Sequence, residues 1–240
     1  MEKVVAVLRS ADADERWCER IRGPVTEELL DLGLPGLAVN VRDAAVRDTT
    51  LVLTTLEPPV AAVVSMWTRQ HYSEQTRAAI DLLAAESEAL SAYLVTESVP
   101  LAPPDPGSGQ RTAGLANIAL LRRPDDLDHA TWLHRWQIDH TPVAIADQGT
   151  FGYTQNAVVR PLTADAPAVA GIVEELFPAA AMTDPLAWYG AADDADLRER
   201  RSRMLASVRR FGADIDLDTR RDPLPPWPIT GPNGTVRSSI

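Results

Sequence analysis

The sequence predicts an α+β chain built from two ferredoxin-like β-α-β-β-α-β repeats, packed together as a pseudo-dimeric α+β barrel. Three observations predict it. Short β-branched runs alternate with helix-period segments in the order strand, helix, strand, strand, helix, strand. A similar order recurs in the second half, by pattern rather than by identity. Between the halves runs Pro100 to Gly109, rich in Pro, Gly and Ser, as a semi-stiff connector would be. Two such units, each an antiparallel sheet with helices on one face, can pack sheet against sheet and shield both open faces.

The elements follow in order. Val4–Leu8 is a short β-rich run, and Asp14 to Leu32 carries Trp17, Ile21, Val25, Leu29 and Leu32 at helical spacing. After Gly36, Leu37–Val41 and then Val60–Trp67 read as strands, Ser73 to Ala85 as a helix, and Ser91–Val99 as a closing strand. In the second half, strand Leu115–Leu121 leads to helix Asp128–His140. Strands Phe151–Val159 and Val169–Phe177 and a helix over Asp193–Phe211 follow. The expected division is 1–100 for a diverged N-terminal repeat, 111–222 for the C-terminal repeat carrying the site, and 223–240 for a Pro-rich tail. Each Pro in Asp222–Gly231 lacks a ladder donor, so this stretch is no regular central strand. A docked strap holding Trp227 is the expectation there.

Charge and cysteine usage exclude several classes. The net charge of −11 argues against nucleic acid and anionic membrane surfaces as partners. It falls unevenly, −8 on residues 1–110 and −3 on 111–240. The arginines around Arg198–Arg203 read as a solvated helix face. Cys18 stands alone, so neither an intrachain disulfide nor a Cys-rich metal site is available. The first residues read as a strand rather than a secretory signal, and no apolar run is long enough for a membrane-spanning helix. A cytoplasmic location is therefore expected. Gly-x-Gly occurs only at Gly107–Gly109 in the connector, so nucleotide cofactors are not expected, and neither is a metal.

The most informative stretch is Leu115 to Arg160. Asp128 suits an N-cap, and Leu127 with Trp132 suits a hydrophobic staple. Trp132, Trp136 and His140 recur every four residues and share one helix face. Thr141-Pro142 is expected to break the helix just after His140, with Thr141 capping any continuation. A helix C-terminus favours imidazolium, whereas apolar neighbours favour the neutral ring; the two effects oppose, and titration near neutrality is expected. A bland reading makes His140 a hydrogen-bonded helix-end residue and the tryptophans plain core. A sharper one makes His140 a general base in an aromatic pocket. His129 and His134 point elsewhere. Aligning Pro24 with Pro142 puts Arg22 where His140 stands, which implies one site per chain.

These residues resemble the EthD family of the dimeric α+β barrel superfamily. The likeness rests on Leu120-Leu121-Arg122-Arg123-Pro124, Trp132 and Trp136, His140 with Pro142, and Phe151, Tyr153 and Gln155-Asn156. Gly171–Phe177 and Arg210–Asp214 add to it. Single-copy members pair two chains into the barrel, and here the two halves would do so within one chain; a further homodimer stays open.

The resemblance implies a cofactor-independent enzyme on a hydrophobic small molecule. His140 would remove a proton from a carbon beside a carbonyl, or from a phenol, and dehydration, decarboxylation or cyclisation would follow, as in a lyase or isomerase. Tyr153, Asn117 and Gln155 would hold the developing oxyanion. Trp132, Trp136, Phe151 and Tyr153 would wall the pocket, with Trp67 a more distant candidate beside His71. The alternatives are a cofactor-free oxygenase, or a non-catalytic ligand-binding or haem-binding stress-type protein using His140.

Overall fold

A computed structural model describes residues 1–47, 56–105, 107, 109–213 and 236–238. The chain is α+β. The first half runs β1 (Glu2–Arg9), α1 (Glu15–Arg20), a π-helical turn (Ile21–Val25), α2 (Thr26–Asp31), β2 (Gly36–Val41), β3 (Val60–Thr68), α3 (Glu74–Ala85) and β4 (Ala89–Leu101). The second half begins with β5 (Leu115–Leu121), α4 (His129–Leu133), a second π-helical turn (His134–His140) and α5 (Thr141–Asp147). It continues through β6 (Gly152–Pro161), β7 (Gly171–Phe177), a 3-10 turn (Ala179–Met182), α6 (Pro185–Tyr189) and α7 (Asp194–Arg209), and β8 (Val236–Ser238) lies near the end.

Eight strands form one antiparallel sheet in the order β5-β7-β6-β4-β1-β3-β2-β8. Within it, β4-β1-β3-β2 is the ferredoxin-like order, and β5-β7-β6 repeats its first three strands. The halves join where β4 pairs with β6, in a register running from Tyr93 opposite Pro161 to Leu101 opposite Tyr153. Because Leu101 is still paired, the connector begins later than its proline content suggests. The tail around Trp227 lies outside the described residues, as do residues 214–222 at the end of the expected second repeat.

Side-chain alternation along the strands produces three cores. One face of the first four strands carries Val4, Leu8, Val39 and Val64 against Ile21, Val25, Leu29 and Leu83 of the first-half helices. The same face of the second-half strands carries Leu115, Tyr153, Val173 and Phe177 against Trp132, Trp136, Ala144 and Met204. The opposite face curls on itself and is shared. Val5, Val7, Val63, Tyr93 and Val95 of the first half meet Ile118 and Ile172 of the second. That shared core lies within the curl of the one sheet, with strands of both halves contributing to it. No helix among the described residues is long and apolar enough to cross a membrane.

Local chemistry explains the helix starts. Asp14, Ser73, Asp128 and Asp193 each accept from a backbone N–H of the first turn. The expected break after His140 does not occur. His140 (φ −80°, ψ −38°) and Thr141 (φ −51°, ψ −47°) are both helical, and the helix continues to Asp147. The wide π turn slips the hydrogen-bond register where Pro142 offers no donor, so the proline is absorbed rather than ending the helix.

Candidate functional site

The same wide turn occurs in both halves and sets their correspondence. Thr26 Oγ1 donates to Ile21 O at 2.8 Å, and Thr141 Oγ1 donates to Trp136 O at 3.4 Å. This register equates Ile21 with Trp136 and places Val25, fully buried, where His140 stands. Arg22 is not the counterpart of His140; it is ion-paired to Asp43 and Glu15. Arg111, at the start of the second half, reaches the same buried Asp43 at 2.9 Å and ties the halves together.

On the sheet beneath the second-half helices, three polar residues stand in one cross-strand row. Asn117 of β5 is opposite Glu175 of β7, which is opposite Tyr153 of β6. All three share the face of Val173 and Phe177, turned toward the helices. Asn117 Nδ2 donates to Glu175 Oε2 at 2.7 Å. Gln148, just beyond α5, donates to Glu175 Oε1 at 2.8 Å and to Ala144 O at 3.1 Å with its amide oriented to satisfy both. Burial raises the Glu175 carboxyl from 4.5 to about 7, against the lowering effect of the Asn117 and Gln148 hydrogen bonds. Burial, together with the neighbouring charge of Glu175, raises the Tyr153 hydroxyl, so it remains protonated. Gln155, two residues along β6, donates to Thr141 Oγ1 at 2.8 Å and pins the wide turn to the sheet.

The expected site residues therefore separate. Asn117, Tyr153, Gln155 and Trp136 gather at this row. The Trp136 and Trp132 rings lie 5.0 Å apart above Gly171, where a Cβ would come within 2.6 Å of the Trp136 ring. Trp132 Nε1 donates to Phe211 O at 3.2 Å, which anchors the chain after α7, whereas Trp136 Nε1 faces the Tyr153 hydroxyl and Asn117 Oδ1 is buried without a hydrogen-bond partner. His140 turns toward α7. Its Nδ1 lies 2.9 Å from Ser207 Oγ and its ring packs 4.9 Å from Phe211. Burial lowers its pKa to about 4 rather than leaving it near neutrality, so the ring is neutral at pH 7. The helix-end dipole expected to oppose this is missing, because the helix runs on.

Two expected residues lie elsewhere. Trp67 sits on the opposite face of the sheet, since β3 turns Val64 and Met66 toward the helices and Trp67 away from them. There its Nε1 donates to Glu97 at 3.2 Å, and Lys3 lies over its ring at 4.8 Å while pairing with Glu97 at 2.7 Å. Phe151 precedes β6, half-buried beside Gly114, and is outside the aromatic cluster around Trp136. His71 pairs with Glu2 at 2.9 Å.

Glu175, Gln148 and Ser207 are the polar residues that sequence reasoning missed. A signal for Glu175 was present: it has the parity of Val173 and Phe177, and since the adjacent Glu174 and Glu175 face opposite sides of the strand, one carboxyl had to point toward the helices. Ser207 similarly lies three residues after Met204 and four before Phe211 on the apolar stripe of α7. Among the described residues, no group of three or more His, Cys, Asp or Glu is arranged to hold a metal ion.

No protein-family model matches the chain, and no curated protein matches it. Three solved structures align over 98% of its length. One is a candidate monooxygenase from Lactobacillus acidophilus (9% identity, 93% of that chain, TM-score 0.45). Another is a candidate monooxygenase from Fusobacterium nucleatum (11%, 91%, TM-score 0.47). The third is described as an anthrone oxidase-like protein (9%, 90%, TM-score 0.48). The chain is loosely similar to these in fold.

Proposed function

We propose that this chain is a cofactor-independent enzyme that moves a proton on a hydrophobic carbonyl or phenolic small molecule, a lyase or isomerase using the helix–sheet interlayer of its second half. The observation that carries this reading is the Asn117–Glu175–Tyr153 row, whose central carboxyl is raised to about 7. A proton acceptor is most effective when its pKa lies near the working pH. Glu175 meets that condition, whereas His140, lowered to about 4, is the weaker base. The resemblance to EthD proteins supports the same class of chemistry.

In this reading Glu175 takes a proton from the carbon beside a carbonyl, or from a phenol. Negative charge then develops on the substrate oxygen. Tyr153, kept protonated, can donate to that oxygen, and Trp136 Nε1 is a second buried donor beside the Tyr153 hydroxyl. Departure of a β-hydroxyl as water, protonated by the Glu175 carboxyl that took the proton, completes a dehydration, and attack of the enolate on a second carbonyl completes a cyclisation. In a decarboxylation, loss of carbon dioxide itself forms the enolate and the protonated Glu175 carboxyl supplies the proton to that carbon. The tryptophan pair supplies an apolar wall.

The test incubates wild type, Glu175→Gln and His140→Ala with phenolic, polyketide-like and β-hydroxy-carbonyl compounds and reads products by mass. Loss of water or carbon dioxide, or an isomer of unchanged mass, is expected with wild type and strongly reduced with Glu175→Gln. A gain of oxygen would redirect the reading to a cofactor-free oxygenase. Undiminished turnover by Glu175→Gln would overturn the proton-transfer role.

A further inference from the structure

We propose that Ser207 is a positioning residue that holds His140 in the Nε2–H tautomer, making the ring a neutral hydrogen-bond donor to a carbonyl oxygen of the ligand rather than a base or a metal ligand. The inference rests on the function proposed above for its mechanistic meaning, but its structural content stands by itself. Ser207 lies within α7, and its hydroxyl is 2.9 Å from His140 Nδ1, with both residues buried. A hydroxyl has one proton to give, and giving it to the Nδ1 lone pair satisfies both groups, whereas giving it to a carbonyl one turn back would leave Nδ1–H as the donor. Once Nδ1 accepts, the proton of a neutral imidazole resides on Nε2.

The surroundings keep the ring neutral and fixed. Phe211 packs against it, burial disfavours the imidazolium, and no ion pair to His140 occurs among the described residues. A neutral ring so held has no free lone pair, since Nδ1 is occupied by Ser207 and Nε2 carries hydrogen. It therefore suits an oxygen acceptor such as a ketone or enolate and does not suit haem iron.

The test is long-range 1H–15N NMR at pH 7 on full-length protein with 15N-labelled histidine, His140 being assigned by His140→Gln. A pyridine-type Nδ1 and a pyrrole-type Nε2 are expected in wild type. Ser207→Thr should retain that pattern, and Ser207→Ala should lose it, with near-UV circular dichroism showing that the fold is kept. A pyrrole-type Nδ1 in wild type, or an unchanged pattern in Ser207→Ala, would overturn the proposal. Titration with hemin supplies a second readout: the same Soret spectrum is expected for wild type and His140→Gln, and a Soret shift abolished by His140→Gln would also overturn it. Neither readout depends on turnover, so failure of the proposed enzymatic function and failure of the tautomer assignment are separable.

Discussion

Replacing Glu175 by glutamine should make the protein more stable in a strongly pH-dependent way. The folded carboxyl has its pKa raised from 4.5 to about 7 by burial, whereas in the unfolded chain it titrates at the ordinary value. The native state thus binds this proton more tightly than the unfolded state. Stability falls as pH rises from 4.5 through 7, and the deficit is complete above 7. At about 1.4 kcal/mol per pH unit, this interval corresponds to roughly 3 kcal/mol. Glutamine has no charge to desolvate and escapes that deficit. Its amide nitrogen would face one of two donors, but Asn117 can turn its unpartnered Oδ1 toward it, so any hydrogen-bond loss is about 1 kcal/mol and independent of pH. Urea denaturation of both proteins at pH 4.5 and pH 8 reads the effect, since every other carboxylate is common to the two. The stability of Glu175→Gln relative to wild type should rise by roughly 3 kcal/mol between the two pH values. An unchanged difference would refute the argument that Glu175 is buried and raised.

His140 should act in the opposite direction. Its folded pKa is lowered from 6.5 to about 4, so stability present above pH 6.5 is lost as pH falls toward 4, by roughly 3 kcal/mol; His140→Gln should flatten that acid limb in denaturation curves. Gly171→Ala would push a methyl into the Trp136 ring and should cost about 1–3 kcal/mol, read as a lowered Tm with red-shifted tryptophan emission; an unchanged Tm would show that the ring can move freely.

Much of this architecture was legible because its signals are local. Leu115–Leu121 and the cap at Asp128 occur as the apolar period and N-cap chemistry predict, and the helix of Asp193–Phe211 differs only by its capping ends. The errors arose where distant contacts decide. Pro142 reads as a stop until Gln155 is seen holding Thr141 in a wide turn, and Trp67 reads as a pocket residue until the sheet's two faces are assigned to different layers. The short α6 carries too few residues to show a period, and β8 exists through pairing with β2, almost the whole chain away. At the site, the polar interruption at Asn117 was visible in β5, but its meaning lay in Glu175 on the neighbouring strand.

The central claim, proton transfer by Glu175, is tested most directly by solvent deuterium exchange. Enolisable ketones and β-hydroxy-carbonyl compounds are incubated in D2O with wild type or Glu175→Gln, and deuterium at the carbon beside the carbonyl is read by NMR and mass. Deuterium incorporation catalysed by wild type and strongly diminished in Glu175→Gln is the expected result, whichever bond changes follow. Equal incorporation by both proteins would contradict the role given to the buried carboxyl.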